Sequence, residues 1–155
     1  MYNYIFLGVA FLILAIVLYD IKSGTNSYGP DKSWRTSCLS KQQEKRTLKL
    51  VVAYDSGQRL KTISENASRE IIKSTIESIN WNEFHIVQLE DDRNNDFKAL
   101  HVSGSLGADG LASGFVTEDE HILLVEPLET VHQLTEILLD FLKGEETWRN
   151  KYVYE

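Results

Sequence analysis

The sequence predicts an α+β protein: an N-terminal transmembrane helix, then a mostly antiparallel sheet ordered β-β-α-β-β-β-β-α and packed with two helices. Three observations carry this expectation. An uncharged apolar run occupies residues 4–19. Short segments rich in β-formers then follow one another across a few turn residues, the spacing of antiparallel neighbours. Two further segments place apolar residues at helical intervals, one within the series of strands and one after it. The implied organisation is an anchor over 1–21, a linker over 22–45 and a soluble domain over 46–155.

The anchor reads YIFLGVAFLILAIVLY, without charge or proline. As a helix it is roughly 24 Å long, against about 30 Å of hydrocarbon. Tyr2, Asn3 and Ile21 lengthen it, and tyrosines at both ends suit the membrane interface. A cleaved signal peptide would carry a basic leader and a small-residue cleavage site. Nothing before Asp20 is charged, no A-x-A triplet follows, and Cys38 lies too far along to accept a lipid. Lys22, Lys32 and Arg35 follow the run closely, which by the positive-inside rule puts the C-terminal domain in the cytoplasm. The charges are few, so a periplasmic placement stays open. The linker carries Ser23-Gly24, Asn26-Ser27 and Gly29-Pro30, all chain breakers. Its Trp34 and Leu39 are candidates for docking back on the domain.

Within the domain, Thr47–Tyr54 (TLKLVVAY) reads as a strand, Asp55-Ser56-Gly57 as a turn and Arg59–Ser64 (RLKTIS) as a shorter strand. A helix follows, with Asn66 as the expected N-cap and Ile71, Ile72, Thr75, Ile76 and Ile79 along one face. Asn80-Trp81-Asn82 breaks it. FHIVQLE (84–90) and FKALHVS (97–103) make a hairpin across the polar turn 91–96. GSLGADG (104–110) is a glycine-rich connection, and LASGFV (111–116) a strand in which Gly114 marks a bulge or a close approach. HILLVE (121–126) is the last strand. The final helix spans 129–143, with a capping box from Thr130 and Gln133 and an αL stop at Gly144. An aromatic tail holds Trp148, Tyr152 and Tyr154. His85, Gln88, Lys98 and His101 interrupt the apolar content of the strands, predicting one partly exposed sheet face.

Charge is unevenly distributed. Residues 20–82 hold 11 Lys+Arg against 7 Asp+Glu, whereas residues 83–155 hold 5 against 16. A basic stretch beside an anchor suits anionic headgroups. The acidic distal half excludes binding of nucleic acid through phosphates, which needs clustered cations. It suits a basic protein partner, or simply a solvated face. A single cysteine excludes an internal disulfide framework.

Candidate chemistry is sparse. Asp92-x-Asn94-x-Asp96 opens like a calcium loop, but Phe97 and Ser103 stand where glycine and the final acid are required. The glycine-rich connection lacks the Lys-Ser/Thr of a P-loop and the G-x-G-x-x-G pattern. His85, His101, His121 and His132, with Cys38 in the linker, have no zinc-ligand spacing. His101 with Asp109 and a serine makes a triad only on paper, for no G-x-S-x-G elbow supports it. No catalytic residue, metal or cofactor is expected. The aromatic tail has two readings: it packs back on the sheet, or it presents interface anchors, where Trp, Tyr and Arg are enriched.

From Ser64 to Glu155 the sequence resembles small bacterial immunity proteins that neutralise polymorphic or contact-delivered toxins. The resembling stretches are ENASREIIKSTIESIN, FHIVQLE, GADGLASGFV and ETVHQLTEILLDFLKGEETWRNKYVYE, with its glycine-stopped helix and aromatic-acidic ending. The anchor and basic linker depart from the usual cytosolic pattern. The resemblance implies a non-enzymatic protein that occludes a toxin's working surface. With the anchor, it implies a single-pass protein of the bacterial inner membrane. The partner would be a cognate toxin with a basic face. The candidate contacts are Asp91, Asp92 and Asp96 on one turn, Glu118, Asp119 and Glu120 on another, and Trp148 and Tyr152 of the tail. Two rivals stand beside it. A membrane-tethered scaffold or accessory subunit of an envelope complex would be favoured by neighbouring secretion or division genes. A hydrolase or transferase would be revived by a deep pocket of convergent polar groups.

Overall fold

The computed structural model describes residues 47–54, 57–91, 97–108, 110–144 and 146–155. The expected anchor and linker lie outside these, as do Asp92 and Asp96. Among the described residues no helix is long and apolar enough to cross a membrane. The residues from Lys45 to Glu155 form one compact unit.

That unit is α+β. Its strands are β1 (Lys49–Tyr54), β2 (Arg59–Ser64), β3 (His85–Asp91), β4 (Lys98–Ser105), β5 (Gly110–Thr117) and β6 (His121–Leu123). Its helices are α1 (Arg69–Ser78), α2 (Val131–Lys143) and α3 (Thr147–Lys151). All neighbouring strands are antiparallel, in the order β2-β1-β3-β4-β5-β6. β1 therefore sits between β2 and β3, which run parallel to each other. Parallel strands need a crossover, and α1 supplies it.

The α1 start lies two residues beyond expectation. Ser68, not Asn66, is the N-cap, its Oγ accepting from the Ile71 N–H at 3.3 Å. Asn66 is instead held outside the helix, its own N–H donating to Ser64 Oγ. At the far end the Ile76 carbonyl accepts twice, from the Ile79 N–H at 3.4 Å and from the Trp81 indole N–H at 2.9 Å, which ties the end of the helix to the residues that follow it. The α2 ends form as expected: Thr130 and Gln133 cap each other's backbone, and Gly144 closes the helix at φ 82°.

Ile72 and Ile76 of α1 pack with Leu134, Ile137 and Leu138 of α2 over one face of the sheet. The strand residues of that face are Leu50, Val52, Val87, Leu89, Leu100, Val102 and Phe115, brought into line by the register Leu50↔Leu89↔Leu100↔Phe115. The expectation of a partly exposed face marked by four polar residues needs correction. His85 and Lys98 belong to the helix side, because strand side chains alternate and these share the parity of Val87 and Leu100. Gln88 and His101 face the other way, directly paired, and both are buried.

The chain ends in a feature the sequence reading lacked. Residues 153–155 run antiparallel beside residues 123–125 and meet them in an isolated bridge, Leu124↔Tyr154. Leu123 N–H donates to Glu155 O at 2.8 Å, Glu155 N–H returns the bond at 3.0 Å, and Val125 N–H donates to Val153 O at 3.0 Å. The last residue of β6, Leu123, is thereby covered on its outer side.

Candidate interaction surface

The β5–β6 turn is built by Thr117. Its N–H donates to the Glu120 carbonyl at 2.8 Å, and its Oγ1 accepts from the N–H groups of Asp119 and Glu120 at 3.2 and 2.9 Å. This closes the turn with Glu118 and Asp119 exposed at its tip. Glu120 behaves differently. Its carboxylate is held by the Arg149 guanidinium of α3, which ties the turn to the C-terminal segment.

The remaining cations of that segment are engaged in the same way. Asp140 of α2 accepts from Lys143 Nζ at 3.0 Å and from Lys151 Nζ at 2.6 Å, and Lys151 also lies 3.9 Å from Glu136. Burial opposes charge on Asp140, but the hydrogen bonds from Lys151 and Lys143 outweigh it and hold the carboxyl below its ordinary value. Lys151 is raised, first by its hydrogen bond to Asp140. Glu126, Glu129 and Glu146 are exposed nearby in the sequence, so the surface of this half is predominantly acidic.

Other expected contacts fall elsewhere. Asp91 is not on an open turn: it is the last residue of β3, buried and in register with Lys98. Trp148 is 1% exposed, tilted against Phe115 and edge-on to Phe141 and Tyr154 at centroid distances of 5.0, 6.2 and 5.3 Å. Its indole is core, which removes it from the surface. Tyr152 is half-buried against the same core. Of the expected contacts among the described residues, Glu118 and Asp119 remain as outward-facing acids, with Glu120 buttressed behind them. Arg149 and Lys151 were visible in the sequence only as charges near aromatics. Their pairing with acids 29 and 11 residues earlier has no local signal.

The histidines do not converge. His85 is edge-on to Tyr54 and Trp81. His132 lies on the exposed side of α2, 3.8 Å from Glu136. His101 and His121 are neighbours, with ring centroids 6.4 Å apart. Burial, and secondarily the charge of His121, push His101 down to about 3, and burial lowers His121 as well. Gly114, opposite His101, makes room for the ring: a Cβ there would stand 2.5 Å from the imidazole Cε1. Among the described residues no group of three or more His, Cys, Asp or Glu could hold a metal ion.

The geometry defines a class rather than a family: an α+β unit with a six-stranded antiparallel sheet, two helices on one face and an acidic turn at one end. No family model, curated protein or solved structure matches the chain.

Proposed function

We propose that this chain is a membrane-anchored immunity protein that binds a cognate bacterial toxin and neutralises it by covering its working surface. The carrying observation is that Lys143, Arg149 and Lys151 are bonded to Asp140 and Glu120 of the same unit, while Glu118 and Asp119 point outward. Internal pairing leaves a surface biased toward negative charge, suited to a basic face on another protein. In this reading the protein works by contact and turns over no substrate. The segment 1–21, uncharged up to Asp20, holds it in the inner membrane as a single pass, with the C-terminal unit in the cytoplasm, and concentrates it where a toxin enters or acts.

The test is a pull-down from the native host with the full chain and with a version lacking residues 1–21. A stoichiometric basic toxin in both, bound less tightly after Glu118→Gln with Asp119→Asn, is the expected result. The weakening should be largest at low ionic strength, because exposed charges are screened beyond about 10 Å at 0.1 M salt. Recovery of envelope-complex subunits alone would replace this reading with that of a scaffold. Absence of any stoichiometric partner would overturn it.

A further inference from the structure

The two sides of the sheet end differently. At β6 the residues 153–155 bond to Leu123 and Val125, as described above. At the other side β2 is the last strand, and among the described residues no strand pairs along its outer side. An edge strand presents alternate backbone N–H and C=O groups outward, a template for another extended chain. Arg59, Leu60, Lys61 and Thr62 are all exposed, and Leu60 is 46% so despite being a large apolar side chain.

The register sorts these side chains. Lys61 lies opposite Val52 and Arg59 opposite Tyr54, both on the helix side. The Arg59 guanidinium sits 5.3 Å over the Tyr54 ring, which orients it there. Leu60 lies opposite Ala53 and Thr62 opposite Val51, on the other side. The regular stretch ends at Thr62, since the register jumps from Val51↔Thr62 to Leu50↔Ser64 and leaves Ile63 as an extra residue. Ile63 turns back to pack against the core. What remains is a four-residue edge, about 13 Å long, with cations on one side and Leu60 and Thr62 on the other.

We propose that this edge of β2 accepts an extended segment of a partner protein bearing acidic residues at alternate positions, with apolar or β-branched residues between them. Added as a further strand, such a segment places its carboxylates beside Arg59 and Lys61 and its apolar side chains beside Leu60 and Thr62. Backbone bonds supply attachment and the alternation supplies selectivity. A second copy of this chain fits poorly. Antiparallel self-pairing about a two-fold axis must keep the faces aligned. Its central registers then set Lys61 against Lys61, or Arg59 against Lys61, and like charges directly opposite are destabilising. The same cations that bar self-pairing admit an acidic strand. The proposal does not depend on the acidic turn at the other end of the sheet or on what that turn binds.

The experiment uses the full chain in detergent micelles and three synthetic seven-residue peptides, alternating valine with glutamate, glutamine or lysine. Site-resolved amide exchange and binding are read for each. The glutamate peptide should slow exchange at residues 59–62 and bind at least tenfold more tightly than the glutamine peptide. The lysine peptide should not bind. Lys61→Glu, a change on an exposed strand, should weaken the glutamate peptide at least tenfold and admit the lysine peptide. Equal binding of the glutamate and glutamine peptides, or protection that falls away from β2, overturns the proposal. So does protection of β2 by phosphatidylglycerol vesicles and not by peptide, which would make the edge a lipid contact. Concentration-dependent protection of β2 without peptide would make it a self-association surface and overturns the proposal equally.

Discussion

Trp148 meets Tyr154 edge-on, with ring centroids 5.3 Å apart and planes at 85°. Trp148 belongs to α3, and Tyr154 to the C-terminal segment beside residues 123–125, where it bridges Leu124. Their contact fastens the last turn of chain to the core from within, while Arg149 and Lys151 fasten it from outside. Trp148→Ala is expected to cost about 3–5 kcal/mol, the range for emptying a large buried aromatic site, and Trp148→Phe distinctly less. Urea unfolding of the two variants checks this. A side chain serving only as a surface anchor would leave stability within about 0.5 kcal/mol of the parent.

Asp140 is the hub of the outer fastening. Its folded value lies below the ordinary 3.8, so the stabilisation it provides is present above about pH 4 and is lost as pH falls through the folded value. Asp140→Asn should therefore destabilise the protein at pH 7 by about 1 kcal/mol, a figure held down because the lysine ends are half-exposed. The variant and the parent should converge as the pH is lowered below 4. Thermal melts at pH 7 and at pH 3 provide the comparison. An equal deficit at both pH values would contradict the assignment.

His101 acts in a different window. Its value falls from 6.5 in the unfolded chain to about 3 in the folded one, so between these values the unfolded state binds the extra proton and stability rises with pH. One such group contributes a slope of about 1.4 kcal/mol per pH unit. His121 acts in the same direction. In His101→Gln the slope of stability against pH should be smaller by roughly one proton between pH 6 and 4, whatever the variant's absolute stability. Urea titrations at several pH values measure it, and an unchanged slope would refute it.

Gly104 closes the β4–β5 hairpin at φ 123°, and a Cβ there would lie 2.1 Å from the Gly110 carbonyl oxygen. Both the backbone conformation and the contact exclude a side chain. Gly104→Ala should cost at least the upper end of the roughly 1–3 kcal/mol seen for overpacking, visible as a lowered Tm. Gly107→Ala, whose nearest contact would be a milder 3.3 Å, should cost much less.

What could be read directly from the sequence was whatever neighbours in the chain decide. The apolar spacing of Ile72 and Ile76, and of Leu134, Ile137, Leu138 and Phe141, marked two helices, because a helix face is defined by residues three and four apart. Thr130 with Gln133, and Gly144, marked the ends of α2 for the same reason: caps are hydrogen bonds made within one turn. The strands followed from β-formers between turn residues, and the antiparallel sheet from their short connections. Even locally the reading slipped at Asn66, since two polar residues compete for one cap and the ordering of the loop before α1 selects Ser68.

The tertiary structure decided which residues are available. Asp91 and Trp148 look alike on paper to other acids and aromatics of the chain, but one ends a central strand and the other fills the gap between Phe115 and Phe141. The insertion of β1 between β2 and β3, the bonding of residues 153–155 to Leu123 and Val125 and the pairing of Glu120 with Arg149 all join positions far apart in the chain. Such contacts form only once the sheet and helices have closed around a shared core. A sequence therefore lists its charges and rings, while the folded packing determines which of them meet water and which meet each other.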